Sequence, residues 1–277
     1  MHITIRNNQT VRLTTSCRNN YLVLLTALLI SFSAGAQDKI PELITDRPDQ
    51  TESAAIVPLR SLQIETGFLM QKDETELALE RLFAFNTTLL RYGLLKRLEL
   101  RIGLDLLSER LEIKYTDIKD RITGTGPLIL QFKYMIAEEV GWIPDIAFIG
   151  GAALPYTAKE FFRTSGVAPA FRFAFSHTLS DRVALGSNLG AEWDGETSVP
   201  GFYYSVALNI AGTEKLGLFT EFYGLLREPG RRAHLFDAGC TYLVLHNFQL
   251  DISGGIGLNK TAFDSFVSFG MSYRIPQ

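Results

Sequence analysis

Three histidines outside the amino-terminal region are the side chains best suited to chemistry: His177, His234 and His246. A histidine beside a serine could serve as the general base of a hydrolase. Ser176 does precede His177, but adjacent residues of a strand point to opposite faces, so the two cannot form a dyad. His177 and His246 fall near short turns, whereas His234 lies in or beside a longer connection. No two histidines are therefore expected to share a site, and the sequence predicts no enzyme; a membrane-embedded acyl hydrolase is the enzymatic alternative.

The sequence also indicates no metal site, no cofactor and no nucleic-acid partner. No His/Cys spacing is typical of zinc, and the carboxylates are too dispersed to predict a calcium site. The chain carries 27 Lys and Arg against 30 Asp and Glu, a formal charge of −3. With no basic cluster and no Gly-rich phosphate loop, nucleic-acid binding is not expected.

Residues 1–36 are typical of a cleaved secretory signal. Several arginines precede the apolar run 21–32, and small residues at 34–36 offer a cleavage site before Gln37. The run is about 12 residues long, short of the roughly 20 that a spanning helix needs, so an uncleaved anchor is the lesser alternative. Cys17 would be removed with the signal, which leaves Cys240 without an internal disulfide partner.

The rest of the chain is dominated by alternation with period two. In the segment 97–105, RLELRIGLD, aliphatic residues take one face and charged residues with a glycine take the other. Further strands are predicted near 61–70, 82–92, 128–134, 145–154, 171–176, 183–193, 202–210, 215–224, 235–244, 248–258 and 267–273. Apolar residues occur on both faces of the strand at 82–92, which indicates a bulge there. The pattern predicts about twelve strands.

Connection lengths indicate how these strands are joined. Short links at 93–97, 178–182, 211–215 and 245–247 alternate with long ones at 106–127, 155–167 and 194–201. An up-and-down barrel with short turns at one end and long loops at the other, as in the outer membrane, has this asymmetry.

The composition of the two faces favours a membrane barrel over a soluble β-sandwich or a lipocalin-like barrel. Nearly every strand has a complete apolar face, and the opposite face is rich in Gly, Ser, Asn and charges of both signs. Aromatic residues near strand ends could form interfacial girdles: Tyr134, Trp193, Tyr204, Tyr242 and Tyr273. We therefore predict an all-β fold, an antiparallel up-and-down transmembrane β-barrel of about 12 strands over residues 61–277, preceded by a periplasmic segment, 37–60.

Two stretches carry a resemblance to a known family. They are TDRPDQTESAAIVPLRSLQIETGF, Thr45–Phe68, and FGMSYRIP, Phe269–Pro276. Together with the amphipathic strands between them, they resemble the outer-membrane transporter family of Bacteroidetes labelled "putative MetA-pathway of phenol degradation". The resemblance implies an outer-membrane β-barrel that passes small molecules, with aromatic or hydrophobic ones as candidates.

The polar strand faces supply the candidate pore-lining residues. On this strand assignment the inward-facing charges are Glu65, Glu99, Arg101, Asp105, Lys133, Arg172, Glu192, Glu221, Asp237, Asp251 and Arg274, together with Arg91. Because both signs are interspersed, the set reads either as a conduit that selects solutes or as a mutually paired filling.

A separate polar stretch, ITDRPDQTES (44–53), lies between the signal and the first strand. Pro48 lacks an N–H and disfavours helix at Arg47, so an extended or turning path is expected. We predict that this stretch enters the lumen as a plug through Asp46, Arg47, Asp49 and Glu52. Its charges are expected to pair with lumen residues, for example Arg47 with Asp105 or Glu221 and Asp49 with Arg101 or Lys133. A solvated periplasmic tail is the alternative.

These features predict a channel for passive passage in the outer membrane of a Gram-negative bacterium. About twelve strands fall between filled barrels of about eight and porins of roughly sixteen, which predicts a narrow or gated passage. The expected partners are outer-membrane lipid, small-molecule solutes and the barrel-assembly machinery. The alternative is a closed structural or adhesion barrel that binds partners through its extracellular loops.

Overall fold

The computed structural model describes residues 41–227 and 230–275, so the predicted signal at 1–36 lies outside the described residues. The described residues form thirteen strands. Their bounds are β1 Leu62–Glu74, β2 Ala78–Leu95, β3 Leu98–Ile113, β4 Lys119–Thr125, β5 Ile129–Ala137, β6 Asp145–Ala153, β7 Ala168–Ser180, β8 Val183–Glu192, β9 Gly201–Ala211, β10 Leu216–Arg227, β11 Arg231–Leu245, β12 Phe248–Gly257 and β13 Ser265–Ile275.

The strands close into one antiparallel barrel. β1 pairs with both β2 and β13, β2 pairs with β3, and from β5 to β13 each strand pairs with the next one along the chain. β3 pairs with β4 through residues 106–112 and with β5 through residues 98–103, so β4 and β5 share one position in the wall. The barrel therefore has twelve strand positions, and the predicted all-β barrel of about 12 strands is confirmed.

The segment 106–127 differs from its prediction as a long loop. β3 continues to Ile113, and the chain returns as β4 before Gly126 and Pro127 separate β4 from β5. Proline cannot donate a ladder hydrogen bond, which accounts for the break. Charged residues face both sides of this hairpin, so the apolar alternation that marks the other strands is missing. The bulge expected in 82–92 is confirmed, because the β2–β3 register shifts between Ala84 and Asn86.

The two ends of the barrel differ as predicted. One end, here called the turn end, carries the tight connections at 96–97, 181–182 and 246–247, and also the wider connection 138–144. The opposite end, the loop end, carries the connections 154–167 and 193–200. In outer-membrane barrels the tight turns face the periplasm.

The outer and inner faces of the wall have opposite chemistry. Large apolar side chains point outward, for example Ile102, Phe132 and Ile252, which are 38%, 40% and 50% exposed. Such a surface suits hydrocarbon and would be unusual around a soluble protein. Tyr134 and Tyr273 also point outward, while the placement of the aromatic residues in interfacial girdles stays a prediction. In the described part of the chain, no helix is long and apolar enough to cross a membrane.

The interior is polar. Its fully buried large side chains include charged and amide residues as well as a single large aliphatic one: Gln63, Glu65, Arg91, Glu99, Lys133, Ile149, Asn188, Glu221 and Asp237. Buried charges require partners at close range. The residues that precede β1 supply many of these partners.

Candidate functional site: a charged segment inside the barrel

Residues 41–58, here called the plug segment, cross the lumen as irregular backbone with several bends and no regular strand or helix. The segment is hydrogen-bonded to strands on several sides of the wall. Representative bonds run from Asp46 N to Glu65 Oε2 (3.0 Å, β1), from Ala54 N to Ser176 Oγ (3.0 Å, β7), from Glu52 N to Asn188 Oδ1 (2.8 Å, β8) and from Gln50 N to Glu221 Oε2 (2.7 Å, β10).

Asp46 is the centre of an ion cluster. Its Oδ2 lies 3.0 Å from Arg91 Nη1, 3.3 Å from Arg101 Nη2 and 2.9 Å from Lys133 Nζ. All four side chains are buried. Burial opposes ionisation of Asp46, but the charges of Arg91, Lys133 and Arg101 outweigh it and hold the pKa of this carboxyl well below its usual range. Asp46 is therefore stabilised as an anion among three wall cations.

The wall cations are only partly neutralised by wall carboxylates. Arg91 Nη1 lies 2.9 Å from Glu65 Oε1, and Arg91 Nε lies 2.9 Å from Glu99 Oε1. The plug segment adds a second carboxylate, Glu52, which pairs with Arg101. Removing the plug would leave buried cations without partners, unless water took its place.

Arg47 is a cation of the plug segment, and it contacts the wall at β1, β2, β12 and β13. Its Nη2 lies 3.0 Å from Asp251 Oδ1, and its Nη1 donates to Thr87 Oγ1 at 3.0 Å. The guanidinium lies over Gly67 and Gly270, which face each other across β1 and β13. A Cβ at Gly270 would stand 2.6 Å from Arg47 Cζ, so this glycine pair makes the space that Arg47 occupies.

The specific pairs expected from the sequence are wrong. Arg47 binds Asp251, not Asp105 or Glu221. Arg101 and Lys133, the expected partners of Asp49, are instead bound by Asp46, with Glu52 also on Arg101. Plug carboxylates do pair with wall cations, and the plug arginine does pair with a wall carboxylate. The individual partners depend on how deep the segment lies in the lumen, and the segment has no repeating sequence pattern that would predict this depth.

The predicted pore-lining residues lie on the inward strand faces. Eight are buried, namely Glu65, Glu99, Arg101, Lys133, Glu221, Asp237, Asp251 and Arg274, and three are half-buried, namely Asp105, Arg172 and Glu192. Arg172 stacks on the Tyr203 ring at 3.9 Å. The role of these side chains in lining a permeation path stays a prediction.

Neutral side chains also hold the plug, and the prediction from charge missed them. Asn188 accepts from Glu52 N and donates to Glu52 O, each at 2.8 Å. The hydroxyl oxygens of Ser205 and Thr51 are 2.7 Å apart, and Gln63 Nε2 donates to Ile44 O at 2.8 Å. Asn188, Ser205 and Gln63 lie on the inward strand faces together with the charged residues. The period-two alternation of their strands could therefore have identified them.

The plug segment lies between two different environments. Towards the turn end there is a cavity of about 520 Å³, lined by plug residues such as Thr45 and Asp49 and by β7–β11. Towards the loop end, the β9–β11 side of the lumen carries an apolar cluster: Tyr203, Tyr223, Leu225, Ala233, Leu235, Ala262 and Phe263. Tyr203 connects this cluster to the plug segment, because its hydroxyl donates to Gln50 O at 2.9 Å.

The histidines do not converge. His177 Nδ1 lies 2.8 Å from Glu139 Oε1 at the turn end, whereas His234 Nδ1 lies 2.7 Å from the Tyr204 hydroxyl near the loop end. Within residues 41–227 and 230–275, no three His, Cys, Asp or Glu side chains are grouped so as to hold a metal ion.

Sequence comparison adds the family. The family described as "Putative MetA-pathway of phenol degradation" matches residues 45–275, a span that includes most of the plug segment as well as the strands. The chain belongs to this family. Its origin in Bacteroidetes stays a prediction, and no curated protein matches the chain.

Solved structures show what the fold is similar to. The COG4313 outer membrane channel from Pseudomonas putida F1 is 14% identical, with a TM-score of 0.60, over 84% of this chain and 100% of that chain. The CymD monoaromatic hydrocarbon channel is 11% identical, with a TM-score of 0.43, over 79% of this chain and 89% of that one. The KdgM porin is 9% identical, with a TM-score of 0.47, over 76% and 98%. At these identities the likeness concerns the fold.

Proposed function

We propose that the protein is an outer-membrane channel for passive passage of small solutes, held closed by its own amino-terminal plug segment. One observation carries this proposal: Asp46 and Glu52 of the plug neutralise cations buried in the wall of the lumen. If the charges of the wall served only to make the barrel rigid, residues of the strands could pair with one another. Here the pairing is completed by a segment that enters from one end of the barrel.

The chemistry of these contacts supports a displaceable plug. Most contacts that hold the segment are ion pairs and hydrogen bonds, as at Asp46, Arg47 and Glu52. Buried ion pairs contribute little net stability relative to their hydrated states, because desolvation offsets most of the Coulomb attraction. Withdrawal of the segment into water, with water entering the lumen, therefore costs far less than withdrawal of an apolar segment of equal size.

The apolar residues near the loop end favour small aromatic or hydrophobic molecules as the solutes. Tyr203, Tyr223 and Leu235 form an apolar inner wall there, opposite in character to the ionic wall around Asp46. An entering apolar solute would meet this cluster before the plug. The closed adhesion barrel and the acyl hydrolase are the competing functions, and neither requires the plug to move.

The test is solute permeability of reconstituted liposomes after deletion of Thr45–Glu52. We expect faster entry of small neutral solutes and a higher conductance in planar bilayers than for the intact protein. The point variant Asp46→Asn should shift both in the same direction, because it leaves three buried cations short of an anion.

Asp117→Asn is the matched control, since Asp117 is exposed on the β3–β4 connection. Retention of a fast-migrating form in unboiled gel samples establishes that each variant is folded. If the deletion and Asp46→Asn are both folded and both as impermeable as the intact protein, the channel proposal is wrong.

A further inference from the structure

A second charged feature of the lumen is purely acidic. Glu221 on β10 and Asp237 on β11 are directly opposite each other in the strand register, and both are fully buried. Glu221 accepts hydrogen bonds from Gln50 N, at 2.7 Å, and from the Thr51 hydroxyl. Within residues 41–227 and 230–275, neither carboxylate oxygen of Asp237 has a hydrogen-bond partner.

The groups around Asp237 offer no compensating positive charge. The plug contributes Asp49, β9 contributes Tyr203 and β10 contributes Glu221 and Tyr223. On β12 the residue opposite Asp237 is Gly255. Among the described residues, no Lys, Arg or His forms an ion pair with any member of the acidic group, which we define as Asp49, Glu221 and Asp237.

The nearby cations and anions are already engaged elsewhere. Arg172, which stacks on Tyr203, faces Glu52 and Glu192, while Asp251 on β12 is bound by Arg47. The acidic group thus stands apart from the ion cluster of Asp46, although the same plug segment contacts both.

Two carboxyl groups that share a buried site cannot both ionise at low cost. Glu221 already accepts two hydrogen bonds, which stabilise its charged form. The proton shared by the pair therefore belongs on Asp237. Burial, together with the charges of Glu221 and Asp237, raises the pKa of Asp49 well above its usual value. Protonated carboxyls therefore allow the plug to lie against this wall.

We propose that Asp49, Glu221 and Asp237 form a proton-dependent catch that holds the plug when Asp237 is protonated and releases it when the proton is lost. The catch rests on the proposed function, because it regulates the same plug. Loss of the proton places two or three negative charges together with no cation to offset them. Repulsion then acts on Asp49 and weakens the adjacent hold on Gln50 and Thr51.

The sign of the effect follows from the buried acids. Their neutral forms favour the closed plug, so closure is strongest at low pH and is lost as pH rises. With one proton linked to opening, the open-to-closed ratio changes by up to about tenfold per pH unit.

The experiment compares bilayer conductance from about pH 6 to about pH 9, a range in which strongly perturbed carboxyls titrate. For the intact protein we expect conductance to rise with pH. Asp237→Asn should abolish the rise and keep conductance low, because the amide is neutral and cannot ionise. Asp49→Asn should also reduce the pH dependence, and this variant alters only the plug, so it stands in if Asp237→Asn fails to fold.

Asp251→Asn is the control that separates the catch from the plug itself. It loosens Arg47, so we expect higher conductance at every pH with the rise retained. A flat profile for the intact protein, or an unchanged rise in Asp237→Asn and Asp49→Asn, would overturn the catch. If the deletion of Thr45–Glu52 conducts in that case, the channel proposal stands without it; if the deletion is also closed, both are wrong.

Discussion

At the scale of single residues, the plug segment is held in the lumen by ion pairs and by the space that two glycines leave for an arginine. Asp46 meets three wall cations, and Arg47 occupies a slot above two glycines. Period-two alternation was enough to predict that Arg101 and Lys133 face inward, because every second strand residue shares a face. It could not predict their partners, since the plug segment is irregular and its depth is set by packing.

The glycine slot leads to a prediction for Gly270→Ala. The three atoms nearest to an added Cβ all belong to the Arg47 guanidinium, at 2.5 to 2.6 Å, so the guanidinium must shift from the position in which it pairs with Asp251. We expect the plug to loosen, at a cost of about 1–3 kcal/mol for the closed state, and bilayer conductance to increase.

Gly254→Ala is the matched control for that variant. Gly254 lies on the neighbouring strand β12, and an added Cβ there would come no closer than 3.3 Å to the Phe266 carbonyl oxygen. Its conductance should equal that of the unchanged protein. A folded Gly270→Ala protein with the same low conductance would show that Arg47 does not hold the plug.

At the scale of the elements, alternation located most strands, and β4 shows where it fails. A strand that pairs on a single edge and carries charges on both faces lacks the apolar periodicity of a membrane strand. The edge of β4 is instead bound by Lys159, whose Nζ donates to Thr123 O at 2.6 Å and whose backbone N donates to Thr125 O at 3.1 Å. Such cover by a distant loop has no local signature in the sequence.

The outward face of the wall yields a stability prediction at Phe132, in the middle of β5. Its side chain is 40% exposed on the outer surface, where it faces hydrocarbon. Phe132→Arg should lower the free energy of unfolding in lipid by about 2–4 kcal/mol, whereas Phe132→Leu should change it far less. The measurement is the urea unfolding midpoint of protein folded into vesicles. Equal midpoints for the two variants would mean that this face is not in contact with lipid.

At the scale of the whole molecule, an apolar outer wall encloses a polar lumen, and the plug segment enters this lumen from the turn end. Composition and connection lengths were enough to predict the closed barrel and its two unlike ends. Whether residues 37–60 would form a plug or a solvated tail was open, because charged residues in an irregular segment suit either. Residues 41–58 lie within the lumen, where wall charges on β1, β2, β3 and β5 complement them.

The central claim, that movement of the plug opens the channel, is tested most directly by a reversible crosslink. The hydroxyls of Thr51 and Ser205 are 2.7 Å apart, so cysteines at both positions stand close enough for a disulfide between plug and wall. Cys240→Ser in the same chain removes its free thiol. We predict that the oxidised protein conducts at background level across the pH range and that a reductant restores conductance in the same bilayer. Equal conductance before and after reduction, with the disulfide fully formed, would contradict a mobile plug.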